Sequence, residues 1–380
     1  MRICFDARVI IDKLTGLGNY TYNLVKHLLM LDSENEYIVL INRSLTDQHP
    51  IKHLEQKNLK KRFVQIPEVT PQQQVMVPFE LLKQKPDIYH YPNFDLPVFQ
   101  PYNSIFTVHD LTYLKHRDLY MNGRWIKNFY TKAIMSLAAK KSKKIISVSS
   151  STKNDLLEIL KVPEHKVDVI HEGLDESYFN GNLSNNKSNF FNKNFGLNDG
   201  DEYFLFIGER RPHKNLVRLI EAFSIFKQKT PNKIKLVIGG KKYASYDEPE
   251  RKAHELNFTN EVIFLGYIPE DDLQLLYKNA RCFIFISIYE GFGIPILEAM
   301  ACGIPIITSN ISSMPEVAGE AALTVNPYNV DEIAEAMQRI TYDSNMSQRL
   351  VDTGLKRVQN FSWNNTAEKT LRLYEGILRN

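Results

Sequence analysis

Cysteine is scarce: Cys4, Cys282 and Cys302 are the only three in 380 residues, far apart and in segments that read as core. That excludes a disulfide framework and a cysteine-built zinc site, and leaves buried thiols in a reducing compartment as the expectation. No run of eighteen apolar residues occurs, which excludes a membrane-spanning helix. The first residues, MRICFDARVI, enter a strand-like pattern without the apolar segment and small-residue cleavage site of a secretory signal. A cytoplasmic location is therefore expected. No convincing D-x-D motif offers carboxylates to a metal, and no metal or other cofactor is expected. A large excess of either charge is also missing, with 47 Lys and Arg against 44 Asp and Glu, a net charge of +3.

What is present has the makeup of a globular protein, 43% hydrophobic and 24% charged, at a length that suits two domains with separate cores. The near-neutral total conceals an asymmetry. Residues 1–150 carry 21 Lys and Arg against 13 Asp and Glu, a net +8, and the other 230 carry 26 against 31, a net −5. Basic residues gather at Lys57, Lys60, Lys61 and Arg62, and again at Arg124, Lys127, Lys132, Lys140, Lys141, Lys143 and Lys144. Such clusters suit a solvated face, or contact with anionic lipid, nucleic acid or a phosphorylated acceptor.

Strand-like segments recur at 2–10, 36–42, 62–67, 87–92, 104–110 and 143–150, with helical patterns between them, notably 19–31, 71–84 and 124–142. A second series runs through 203–208, 234–240, 261–268, 283–288, 305–310 and 322–326, with a helix over 214–229. This alternation predicts two consecutive doubly wound α/β halves, each a parallel sheet covered by helices. They are not sequence repeats. Residues 180–200, rich in Asn, Ser and Gly, read as an exposed connector, and the domains are set at 1–175 and 176–361. The helix over 124–141 puts Trp125, Phe129, Ala133 and Leu137 on one stripe, which packs on the core or lies on a membrane surface.

The most informative stretch is YEGFGIPILEAMACGIP, residues 289–305. A strand before it, a glycine turn at Gly291 and Gly293, and a short helix over 294–302 opened by Pro295 and closed by Gly303 present backbone N–H groups and a positive dipole end. An anionic ligand is expected there. Glu290 and Glu298 would repel it, unless they reach other parts of the same molecule; carboxylates accept hydrogen bonds, so hydroxyls are their natural partners. A ligand with a diphosphate between two polyhydroxylated rings, a nucleotide sugar, satisfies both demands.

Three other places add to this. GERRPHKNL crowds Arg210, Arg211 and Lys214 at a helix start that is already positive, which calls for an anion or for compensating carboxylates. IDKLTGLGNY sets Gly16 and Gly18 just ahead of the helix over 19–31, at a strand's carboxyl end, as a plain tight turn or a close approach to ligand. TVHDL puts His109 and Asp110 at another strand end; Asp110 either orients the imidazole or caps the next segment.

EGFGIPILE, followed by AMACGIPIITSNISSMPEVAGEAALTVNP, resembles the donor-site signature of the family-four retaining glycosyltransferases. The resemblance implies the glycosyltransferase B fold, two Rossmann-like domains facing each other across a cleft, with a last helix over 362–380, anchored by Trp363, crossing back onto the first domain. It implies a donor site of Gly16, Gly18, Arg210, Arg211, Lys214, Gly291, Phe292, Gly293, Ile294 and Glu298, with His109, Lys214 and Glu290 at the reacting centre. Arg210 is the first choice to partner Lys214. TGLGNYTYNL and PHKN with SSMPEV look most like bacterial mannosyltransferases that build lipopolysaccharide or exopolysaccharide from GDP-mannose. The implied partners are a nucleotide-sugar donor and a glycan or lipid-linked glycan acceptor; the basic residues of the first domain separately suggest peripheral contact with anionic membrane at the inner face of the plasma membrane, and no nucleic acid is expected. UDP-glucose or UDP-galactose is the alternative donor. A non-hydrolysing nucleotide-sugar epimerase and a catalytically silent glycan-binding subunit are the competing readings.

Overall fold

The computed structural model describes residues 1–12, 15–68, 70–116, 119, 125–180, 197, 200–230, 232–243 and 246–379, without the side chains of 125–130, 180, 270 and 271. The chain divides into two compact units, Met1–Gly173 with Ser362–Asn380, and Leu174–Phe361. The first holds seven strands: β1 (Arg2–Asp6), β2 (Glu36–Asn42), β3 (Leu59–Val64), β4 (Ile88–Tyr91), β5 (Asn103–Val108), β6 (Lys144–Ser147) and β7 (Val167–Val169). They form one parallel sheet in the order β3-β2-β1-β4-β5-β6-β7. The second unit holds β8 (Tyr203–Ile207), β9 (Lys235–Gly239), β10 (Val262–Phe264), β11 (Cys282–Phe285), β12 (Ile306–Ser309) and β13 (Leu323–Val325), ordered β10-β9-β8-β11-β12-β13.

Alternation along the strands of the first sheet feeds two cores. Ile3, Phe5, Val39, Ile88 and Ile105 face one, and Cys4, Ile38, Leu40, Tyr89 and Phe106 face the other, so both faces are dry and the strands read as continuous apolar runs. The helix Trp363–Arg379 packs in the first of these cores through Trp363, Ala367 and Tyr374.

Strand β1 stops at Asp6, short of the expected residue 10. Arg8 turns back and its Nη2 meets Asp6 Oδ2 at 2.7 Å, both side chains fully buried. Tyr89 donates to the same carboxylate at 2.6 Å, and Arg8 also donates to the Ile66 carbonyl and Gln73 Oε1. A buried charge is tolerated only when paired and hydrogen-bonded, so this node fixes where the strand ends. Cys302 is only partly buried, unlike Cys4 and Cys282. Among the described side chains of the helix Trp125–Lys141 the buried ones are Met135, Ala138 and Ala139, while Leu137 of the expected stripe is 42% exposed; Arg124 and the side chains of Trp125, Lys127 and Phe129 lie outside the described residues, as does most of the 180–200 connector.

His90, at the centre of the first sheet, ties the last helix down. Its Nδ1 meets the Tyr374 hydroxyl at 2.6 Å and its Nε2 the Thr107 hydroxyl at 3.0 Å. Burial, with the nearby His109 second, lowers its pKa from 6.5 to about 3. The unfolded chain therefore takes up a proton near pH 6.5 that the folded chain refuses until about pH 3, so stability from this group is complete above pH 6.5 and is lost progressively as pH falls. Urea unfolding from pH 7 to pH 4 should show this decline, and His90→Gln, though less stable at pH 7, should decline less steeply; equal slopes would contradict it.

Candidate active site

In the second sheet β8 lies beside β11, yet the chain leaves β8 toward β9 and β11 toward β12. Where the winding reverses, the loops after the two strands part and open a crevice at their carboxyl ends. Those loops carry GERRPHKNL and the run to Pro295. The cavity lined by Glu202, Tyr203, Arg281 and Pro305 is at the opposite, amino end of the strands.

The two loops are joined by hydrogen bonds. Asn215, in the left-handed region at φ +63°, donates through Nδ2 to the carbonyls of Ile286 at 3.2 Å and Pro327 at 2.6 Å. The Ile288 N–H donates to the His213 carbonyl at 2.8 Å. These bonds carry Lys214 against Glu290: Nζ donates to Oε1 at 2.6 Å and sits 5.0 Å from the centre of the Phe285 ring. Each side chain is 13% exposed, so the pair is shielded but still reachable. An ammonium has three donors, and Glu290 occupies one.

Glu290 is also fixed through its backbone. Its N–H donates to Ser312 Oγ at 3.1 Å, and the hydroxyls of Ser312 and Ser313 lie 2.8 and 3.0 Å from its carbonyl oxygen. Ser313 Oγ also reaches the Phe292 carbonyl at 2.5 Å. Gly293 then adopts φ +121°, a conformation that L side chains rarely adopt, and the helix Ile294–Ala301 begins with Pro295 in its first turn and no side-chain cap. That uncapped start keeps its positive end beside Glu290 and Lys214. Glu298, on the same helix, accepts from the Tyr277 hydroxyl at 2.8 Å. Burial first, then the Glu298 charge, push the Tyr277 pKa well up, which keeps it a donor.

The cations of the β8 loop are arranged differently from the expectation. The helix is Leu216–Lys229, and Lys214 belongs to a preceding 3-10 turn, Pro212–Lys214. Arg210 is buried against Glu250 at 2.9 Å and lies 5.4 Å from the Phe264 ring, and Arg211 pairs with Glu209 at 2.8 Å beside the Tyr243 ring. Carboxylates thus answer part of the charge that the sequence assigns to an anion. The Arg210 Nε is buried without a partner among the described residues.

In the first unit His109 follows β5. Its Nδ1 lies 2.9 Å from Glu172 Oε1 and its Nε2 3.2 Å from the Pro92 carbonyl, while Tyr20 meets the ring edge-on at 4.6 Å. Both partners are acceptors, so a neutral imidazole with one N–H serves one of them at a time. Among the described residues Asp110 makes no hydrogen bond to the ring; its carboxylate accepts from the Thr112 N–H at 2.9 Å, at the start of the next turn. Gly16 and Gly18 lie inside the first turn of the helix Gly16–Leu31, after the Thr15 cap, and not ahead of it. A Cβ on Gly16 would meet nothing, so packing does not require glycine there. Glu172, Tyr277, Ser312 and Ser313 were not singled out from sequence. The two serines, adjacent in SSMPEV, carried a signal as hydroxyls that could bind a turn.

The family model of the glycosyl transferases group 1 matches residues 187–357, and that of glycosyltransferase family 4 matches residues 14–178. The chain belongs to these glycosyltransferases. It is 26% identical to O-antigen chain mannosyltransferase B of Escherichia coli, over 99% of this chain and 100% of that one. It is 28% identical to the O-antigen chain mannosyltransferase RfbU of Salmonella typhimurium, over 67% and 69% of the two. Among solved structures, Anabaena HepE in complex with UDP-glucose is similar with a TM-score of 0.76 at 16% identity, covering 99% of this chain and 100% of that one, which gives the glycosyltransferase B fold.

Among the described residues of this glycosyltransferase no group of three His, Cys, Asp or Glu side chains is gathered that could hold a metal ion. Ser313→Ala removes a single O–H that lies within reach of the Glu290 and Phe292 carbonyls, while Ser312 still serves Glu290. The expected cost is about 1–3 kcal/mol in urea unfolding, because the buried Phe292 carbonyl loses the Ser313 hydroxyl. Wild-type stability would contradict this account of the turn.

Proposed function

We propose that this glycosyltransferase moves a hexose, mannose from GDP-mannose, onto a growing lipid-linked cell-surface glycan with retention of anomeric configuration and without a metal. The observation that carries the reading is the Lys214–Glu290 contact of 2.6 Å beside the uncapped start of the helix Ile294–Ala301. The mannosyltransferase relatives support the choice of sugar. The UDP-glucose in the HepE structure favours, as a second reading, a UDP-hexose donor.

Breaking the glycosidic C–O bond puts negative charge on the departing diphosphate and positive charge on the sugar ring. The two remaining Lys214 donors and the helix amides are fixed charges and dipoles aimed at the first, the form of stabilisation with the largest effect on rate. They take the part a metal would play. Glu290 holds sugar hydroxyls and offsets ring charge, Glu298 the ribose, and His109, steadied by Glu172 and Tyr20, the transferred sugar. An acceptor hydroxyl attacks on the face the diphosphate leaves, and its proton passes to the departing phosphate oxygen. The open space at Gly16 admits close approach of the backbone to ligand.

Release of nucleoside diphosphate from a panel of nucleotide sugars, with and without lipid-linked acceptors, tests the reading. GDP-mannose with acceptor should turn over fastest, and conversion of the donor to another nucleotide sugar without release of nucleoside diphosphate would point to an epimerase. Lys214→Ala and Glu290→Ala should each lower turnover about a hundredfold or more with the fold intact, and EDTA should leave the rate unchanged. Wild-type rates in either variant, or abolition by EDTA with rescue by manganese, would contradict it.

A further inference from the structure

The helix Gln73–Gln84 of the first unit carries polar side chains inward and apolar ones outward. Gln73, Glu80 and Gln84 are buried with Val77 and Leu81, whereas Val75, Met76, Phe79 and Leu82 are exposed, Phe79 by 62%. The inward polar groups have partners: Gln73 donates to Asp95 Oδ2 at 2.7 Å, and Gln84 to Glu80 Oε1 at 2.7 Å. Residues 75, 79 and 82 fall on one helix face. Phe99, 63% exposed, lies in a segment next to the helix, where the Val98 N–H donates to Gln74 Oε1 at 2.8 Å. Scattered exposed apolar residues are ordinary; five gathered on one element and its neighbour mark a binding surface.

Cations outnumber carboxylates in the sequence around this helix, although Lys61 points to the other side of β3, where it donates to the Lys52 carbonyl. Residues 57–86 contain Lys57, Lys60, Lys61, Arg62, Lys83 and Lys85 against only Glu68 and Glu80. Glu80 is buried and lies 3.5 Å from Arg62 and 3.6 Å from Lys83. Arg62 belongs to β3, the edge strand of the sheet, so Lys60, two residues before it, points to the same side. We infer that this face docks on an anionic lipid surface, with Val75, Met76, Phe79, Leu82 and Phe99 entering the headgroup boundary and the surrounding cations meeting lipid phosphates. It deepens the proposed function, since a lipid-linked acceptor lies at such a surface. This face is on a different helix from the one over 124–141, whose stripe the sequence left to pack on the core or to lie on a membrane surface.

The test is cosedimentation of the full chain with vesicles of phosphatidylcholine alone and of phosphatidylcholine mixed with phosphatidylglycerol. The chain should sediment with the mixed vesicles only, and less so as salt is raised. Phe79→Ser with Leu82→Ser should weaken binding about tenfold or more, with unchanged circular dichroism and unchanged nucleoside diphosphate release from free donor. Lys60→Glu with Lys83→Glu should weaken it similarly. No binding by the wild-type chain, or equal binding by both double variants, overturns the inference. So does a dimer in sedimentation velocity that the serine variant dissolves without change in vesicle binding, which would give the face to a second copy. Lost docking with normal turnover leaves the glycosyltransferase reading standing, and docking without turnover of any donor does the reverse.

Discussion

The ion pair between Lys214 and Glu290 is the interaction on which the candidate site of the second unit turns. A cation and a carboxylate 2.6 Å apart attract strongly, but both must give up water, and a shielded pair is weak evidence for stability. Its placement is more telling. The surroundings hold it from four directions: Asn215 bridges to Ile286 and Pro327, the His213 carbonyl takes the Ile288 N–H, two serines hold the Glu290 backbone, and Phe285 lies beneath the ammonium. Holding both groups where two parallel strands diverge keeps them from collapsing onto other partners. In the proposed function the Lys214 charge is left to meet an oxyanion, and Glu290 to meet hydroxyls.

The first unit applies the same physics to a histidine. His109 touches Glu172, Pro92 and Tyr20, and the Tyr20 hydroxyl lies 3.2 Å from Thr107, which also meets His90. His90 in turn meets Tyr374 on the last helix. The residues that end the chain therefore help fix the ring packed against His109. The buried Asp6–Arg8 pair, next to Tyr89, holds the neighbouring strand end.

Much of this was legible in the residues because it depends on local pattern. Alternating apolar segments gave the strands, and the glycine turn with Pro295 gave the helix that follows β11. What could not be read depends on contacts distant in sequence. Glu172 reaches His109 across 63 positions, and Glu250 reaches Arg210 across 40; no spacing rule links them. The end of β1 at Asp6 was missed because RVI continues the apolar pattern, while a buried ion pair imposes the turn. The start of the helix at Leu216 was missed because Asn215 takes a left-handed conformation for which the pattern carries no mark. The helix Gln73–Gln84 was found, but which of its faces points outward depends on partners for Gln73 and Glu80 that only folding supplies.

A crystal structure of the protein soaked with nucleoside diphosphate tests the central claim most directly. The account places a phosphate oxygen within hydrogen-bond reach of Lys214 Nζ and of the amides at the start of the helix Ile294–Ala301, with Glu298 toward the ribose. A diphosphate bound elsewhere, with the Lys214–Glu290 pair untouched, would contradict it.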